Sequence, residues 1–311
     1  MKRAIFFIFL FLISCAISAQ IHNSINSSKL EMRLGIDNDF FVLSRISDRY
    51  YTFGADLSVA FIPQKNFLFS NLFNHKLSHF QSLGLHLKAY TPDTEEDDIR
   101  PYAGYLYLNY LLNYTFKNSA LRLGVNLGIL GPASQAGKVQ NWFHRLLDNT
   151  IYDWSNQIEN EFAVNFTGEY IKQFYQSNWS DSYTSVKASL GNINVNLWPR
   201  AMFGFGKFNP VQFSASTGTS ILAAKSESEF FLEAGFGFPI IFYDATLQES
   251  FVIDVNNLDY EIINNLRISG QVGLNFNFSG FVLRFTYYYF SRELNIIEDH
   301  KYGRLLIAYR F

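Results

Sequence analysis

The sequence predicts an all-β fold: a twelve-stranded antiparallel transmembrane β-barrel with a short helix in an extracellular loop. Three observations predict it. Apolar and polar residues alternate along segments of about ten residues or more, the pattern of a strand with lipid on one side and water on the other. Beyond residue 19 no apolar stretch approaches the roughly 18 residues that read as a spanning helix. Aromatics make up 18% of the 311 residues, with 33 Phe and 19 Tyr, and only 17% are charged, against roughly 25% in soluble domains. So much apolar material excludes a disordered chain. A net charge of −2 argues against a nucleic-acid-binding protein. A single Cys excludes a disulfide scaffold and a cysteine-based zinc site.

Taken in order, the elements begin with Lys2 and Arg3 before an apolar run from Ala4 to Ile13 and small residues ending at Ala19. This reads as a secretory signal peptide over 1–19, leaving 20–311 as one barrel domain. Leu12-Ile13-Ser14-Cys15 also resembles a lipoprotein cleavage box. Strands are expected near 29–38, 50–61, 79–90, 103–117, 119–130, 158–173, 181–190, 193–204, 226–242, 264–277, 281–293 and 303–311. The last shows the period best, with Leu305, Ile307, Tyr309 and Phe311 alternating with Arg304, Leu306, Ala308 and Arg310. A soluble sandwich alternates too. Strand length, aromatic-tipped apolar faces and charges such as Glu31, Arg33, Asp56 and Lys187 on the polar faces favour the barrel. Turns are expected at Gly191-Asn192 and Ser279-Gly280. An even strand count places both termini on the periplasmic side. Between Pro132 and Asp153, Val139, Trp142, Phe143, Leu146 and Leu147 recur at helical spacing, with Ser134 as a plausible cap.

Four groups of residues have chemistry to offer. Gln140 and His144 are four apart on the helix and share a face. A histidine there suits general-base work near neutral pH, although a surface helix with an incidental histidine has the same spacing. Asp37-Asn38-Asp39 closes the first strand with hard oxygen donors suited to calcium, or simply with turn formers. In Asp48-Arg49-Tyr50-Tyr51-Thr52-Phe53-Gly54, strict alternation sends Tyr51, Phe53 and Ala55 outward, and Thr52, Gly54 and Asp56 inward, so that Thr52 offers a hydroxyl in the barrel mouth. The acidic stretch Asp93, Glu95, Glu96, Asp97 and Asp98 precedes Arg100-Pro101-Tyr102-Ala103-Gly104-Tyr105; it reads as a solvated loop or a divalent-cation site. The strand count puts all four groups on one rim.

In this order, Asn38-Asp39, Asp48-Arg49-Tyr50-Tyr51-Thr52-x-Gly54, Tyr90-Thr91-Pro92, Arg100 to Tyr105, Gly131-Pro132-Ala133-Ser134, Gln140-Asn141-x-x-His144 and Trp154-x-x-Gln157-Ile158-x-Asn160-Glu161 resemble the outer-membrane lipid A 3′-O-deacylases. The resemblance covers most of the chain and is densest over 36–161. It implies a calcium-dependent carboxylic ester hydrolase of the cell outer membrane, surrounded by outer-membrane lipids. Its active site would face the extracellular side and remove the 3′-linked acyloxyacyl group of lipid A, the lipopolysaccharide anchor. On the resemblance, His144 is the general base activating water, Gln140 supports it, and Asn38, Asp39 and Thr52 complete the site, with Asp39 as the metal ligand. Two departures stand out. Phe53 replaces a small polar residue, and the family's lysine in the second outer loop has no clear counterpart; Lys88 lies on the strand instead. Rival readings are a calcium-dependent outer-membrane phospholipase and an inactive, binding or pore-type barrel.

Overall fold

The computed structural model describes residues 30–41, 50–63, 67–92, 100–224, 227–248, 263–295 and 297–311. The expected signal peptide, Asp48, Arg49 and the acidic residues of 93–98 lie outside them. Strands β1 (Leu30–Asn38), β2 (Tyr50–Phe61), β3 (Ser78–Thr91), β4 (Ala103–Phe116), β5 (Ser119–Leu130), β6 (Glu161–Gln176), β7 (Ser180–Gly191) and β8 (Asn194–Lys207) follow one another as antiparallel neighbours. The ninth strand has two pieces, Glu229–Gly237 and Ile240–Asp244. Both pair with β8, Gly237 opposite Arg200 and Ile240 opposite Leu197, in one continuous register. The interruption falls at Pro239, which has no N–H to give to a ladder. The two pieces are therefore one strand, β9, and the expected count of twelve holds. Strands β10 (Ser269–Phe278), β11 (Phe281–Phe290) and β12 (His300–Arg310) complete the wall. Glu31 lies opposite Arg310, so β1 on β12 closes the barrel. No described helix is long and apolar enough to cross a membrane.

Period two does what it was expected to do. Leu83, Leu85, Leu108, Leu127, Phe162 and Phe166 are exposed on the outer face, where lipid takes the place of a partner sheet. Charged side chains turn inward and pair across the lumen: Glu169 with Arg122 at 2.9 Å and with Arg200, and Arg304 with Asp37 at 2.6 Å and with Asp56. Ser279 and Gly280 have φ of 50° and 85°, as a two-residue hairpin turn of positive φ at both positions demands. The β7–β8 turn falls one residue later than expected, at Asn192-Ile193. Several strand limits also shift, by up to five residues. β6 starts at Glu161 because Ile158 donates its N–H to the Tyr102 carbonyl instead, at 3.0 Å. β10 starts at Ser269, and β12 reaches back to His300.

Both ends of the described wall, Leu30 and Arg310, lie on one rim. There the segment 208–224 between β8 and β9 turns into the lumen instead of staying outside. Arg310 donates to the carbonyls of Ser220 at 2.7 Å and Ala223 at 3.1 Å. Glu229 accepts from the Ser214 hydroxyl at 2.7 Å and from the N–H groups of Asn209 and Ala215. Val211, Ala215 and Ile221 are buried against the inner wall. The lumen is thus filled at the rim of the termini and hollow toward the other.

Candidate active site

The opposite rim carries the described residues of the four groups singled out above. There β2 has a bulge: Tyr51 lies opposite Tyr90 but Phe53 lies opposite Ala89, so Thr52 is the extra residue. This overturns the strict alternation expected of that segment. Tyr51 points into the lumen and donates to Asp37 Oδ2 at 2.6 Å. Thr52 is not in the barrel mouth. Its hydroxyl is buried against that of Thr91, 2.7 Å away. On β3, His86, Lys88 and Tyr90 line the lumen, so Leu87, Ala89 and Thr91 face out. Phe53 and Gly54 keep their expected faces.

On this outer face a row runs across four strands: Asn38 opposite Phe53, Phe53 opposite Ala89, Ala89 opposite Gly104. The expected helix, α1 (Ala136–Leu147), packs onto β3 and β4 at the end of that row. Ala136, Trp154 and Tyr102 cluster there with Ala89, Leu87 and Phe53. Two glycines allow the close approach. A Cβ on Gly104 would stand 2.2 Å from Ser134 Oγ and 2.6 Å from Ala136 Cβ, and one on Gly137 would stand 2.5 Å from the Trp154 ring. Ser134 is not the cap. It sits in a 3-10 turn, Pro132–Ser134, and Gln135 holds the cap position in the left-handed region at φ 62°. Ser134 Oγ still accepts the N–H of Ala136 at 3.3 Å and donates to the Gly131 carbonyl at 2.6 Å. It therefore ties the helix start to the wall.

The helix is two-faced. Trp142, Phe143 and Leu146 are exposed, whereas Gln140 and His144 are buried toward the barrel. The chain after α1 folds back and clamps it, with Asn141 bonded to both backbone groups of Tyr152 at 2.8 and 3.0 Å. His144 Nδ1 meets the Thr150 carbonyl. A carbonyl only accepts, so Nδ1 carries a proton; in the neutral ring Nε2 is then the acceptor nitrogen. The Trp154 indole, which can only donate, gives its N–H to Gln140 Oε1 at 2.9 Å. That fixes the amide orientation and turns the Gln140 NH₂ the other way. Trp154 and Thr150 were not read from the sequence as parts of the site; the Trp154-x-x-Gln157 motif was the one available sign. Asn38 ends β1, and Asp39 is buried at the start of a short 3-10 turn. Among the described residues no group of three or more His, Cys, Asp or Glu gathers as a metal cage.

Arg100 is a further residue whose role the sequence did not show. It is 1% exposed, pairs with Glu293 at 3.1 Å, donates to the Thr246 carbonyl at 3.1 Å and lies over the Tyr90 ring. Arg267 reaches the same carboxylate at 3.2 Å. Burial raises the Glu293 pKa, but the two guanidinium groups outweigh it and hold this carboxyl below its ordinary range.

The sequence model of the family described as "Outer membrane protein LpxR" matches residues 5–311. LpxR from Salmonella typhimurium has a similar solved structure, with a TM-score of 0.71 and 19% identity, covering 90% of this chain and 100% of that one. The β domain of the Bordetella autotransporter BrkA aligns with a TM-score of 0.49 and 11% identity, over 92% of this chain and 100% of its own. The NalP translocator domain of Neisseria meningitidis aligns at 0.46 and 10%, over 100% and 97%. No curated protein matches the sequence.

Proposed function

This chain belongs to the LpxR family of outer-membrane proteins, and from that premise we propose that it is a lipid A 3′-O-deacylase, a carboxylic ester hydrolase acting on lipopolysaccharide with its site toward the cell exterior. The observation that carries this reading is His144. Its ring is buried on the face of α1 that carries Ala136 and Gln140, beside the Tyr152 ring, and its Nδ1 proton is held by the Thr150 carbonyl. The wall outside the barrel is where acyl chains of a lipid lie, so an ester bond of such a lipid comes to the base without leaving the membrane.

In this reading His144 Nε2 takes a proton from water as its oxygen attacks the ester carbonyl. The Gln140 NH₂ donates toward the water or the carbonyl oxygen. Collapse of the tetrahedral intermediate breaks the bond to the sugar oxygen, and His144 returns the proton to that oxygen. The acyloxyacyl group leaves as a carboxylic acid, which gives its proton to solvent and becomes a carboxylate. Thr52 and Asn38 lie along the outer-face row and orient the substrate.

Calcium belongs to the same proposal. Asp39 and the Asn38 amide are hard oxygen donors, which suits calcium in kind. With one carboxylate here among the described residues, backbone, water and substrate oxygens would supply most of its roughly six to eight positions. Bound there, the ion would supply positive charge beside the ester carbonyl.

The experiment is a mass spectrum of lipid A from cells carrying the wild-type chain or His144→Ala, with folding of both checked by heat-modifiable gel mobility. Loss of an acyloxyacyl mass in the wild type alone is expected. Equal loss in both would remove His144 as base; loss in neither, with folded barrels, would end the deacylase reading.

A further inference from the structure

The hollow half of the lumen is a chamber of about 460 Å³, within the range of small-molecule sites. It lies on the inner face of the wall, across β3 from the row that bears the ester-hydrolysing site, so it is not part of that site. Its wall is unbalanced in charge. Five cationic side chains, Lys88, Lys187, Arg200, Arg267 and Arg304, face three carboxylates. Those carboxylates are already engaged: Asp37 and Asp56 by Arg304, and Glu293 by Arg100 and Arg267. Arg200 is drawn to Glu169. Among the described residues, that leaves Lys88 and Lys187 with no carboxylate at ion-pair distance. They stand on different strands, β3 and β7, and both line this chamber; Glu169, the cross-strand neighbour of Lys187 on β6, is held by Arg122 and Arg200. Lys88 has the Tyr51 and Tyr107 rings as neighbours, each 5.9 Å away. Two like charges held in one wet chamber lower each other's cost when an anion sits between them.

The rest of the wall is aromatic. Tyr288 and Tyr302 stack at 4.9 Å, Phe290 lies parallel to Tyr302 at 6.1 Å, and Trp198 adjoins Phe290 at 5.5 Å. Flat rings beside cations suit a ligand with a weakly polar ring face and an anionic group. We propose that the chamber is a second binding site that takes a phosphorylated sugar, its phosphate between Lys88 and Lys187 and its ring on the aromatic wall. The inference is independent of the deacylase reading and does not fall with it.

The test is calorimetric titration of the purified barrel, in a detergent without a sugar headgroup, with glucose 6-phosphate, inorganic phosphate and glucose. Glucose 6-phosphate should bind more tightly than either of its parts. Lys88→Met/Lys187→Met should weaken it by at least about tenfold, while Lys88→Arg/Lys187→Arg, which keeps both charges, should retain it. Equal binding of glucose 6-phosphate and inorganic phosphate would overturn the sugar assignment. No binding, or unchanged binding in the methionine variant with heat-modifiable folding intact, would overturn the site.

Discussion

The roles proposed for His144 and Gln140 depend on what holds the two side chains: the Thr150 carbonyl meets His144, and the Trp154 indole donates to Gln140. Trp154→Phe keeps most of the ring against Gly137 but removes the N–H that Gln140 Oε1 accepts. The hydrolysis rate should fall about tenfold, the worth of roughly one hydrogen bond, with gel mobility unchanged; an unchanged rate would mean the amide orientation is idle. Asp39 is tested separately. Chelation of calcium should stop hydrolysis, and Asp39→Asn should raise the calcium concentration needed to restore it. Activity indifferent to chelator would remove the metal. At this scale the sequence was readable for residue type and not for direction. Alternation placed Thr52 in the lumen and Tyr51 outside, and one inserted residue in β2 reversed both. A bulge leaves the composition of a strand untouched, so only the register with β3 reveals it.

Elements depend on contacts that one-dimensional periodicity sees in part. The strands and α1 were legible because spacing alone sorts their faces. The start of α1 was not, since Gln135 takes the cap position in a left-handed conformation that its side chain does nothing to announce. How the helix meets the wall rests on Gly104. Gly104→Val should push α1 from β3 and β4 and lower activity by more than about tenfold, since catalytic groups lose their geometry with small displacements. The barrel should still fold, because the register of β4 with its neighbours does not use that side chain. Wild-type rates in this variant would separate α1 packing from catalysis. The loops at this rim share a second tie, Glu293 between Arg100 and Arg267. The folded-state pKa of this carboxyl lies below its ordinary 4.5. Its stabilisation is therefore complete above that value and is lost as pH falls through the folded one. Limited proteolysis of the rim should accelerate in wild type on acidification below about pH 4, and Glu293→Gln should be cut readily at neutral pH already. Equal resistance of the two at neutral pH would show that the tie does not hold the loops.

For the whole molecule, twelve strands leave a polar interior, and the sequence could not say whether that interior conducts. Segment 208–224 looks like any polar connection in one dimension. Its place in the lumen is set by partners far away in the chain, Glu31, Arg284 and Arg310 among them. The argument for a closed barrel is one of satisfaction. Arg310 is fully buried, and its guanidinium holds two plug carbonyls and Asn277. Glu229 takes three donors from the plug. Withdrawing the segment would strip Arg310 of two acceptors and Glu229 of three donors, leaving Asn277 as their shared partner, at a cost of several kcal/mol for groups so enclosed. The plug should therefore stay in place, and the wild-type barrel should pass no steady current across a planar bilayer, even with its chamber open toward the site rim. Replacing 211–222 by a short Gly-Ser link, which the antiparallel ends of β8 and β9 can accept, should open a steady conductance in a barrel that remains heat-modifiable. A steady wild-type current would favour the pore reading, because a lumen filled by these contacts has no path for ions through the rim of the termini.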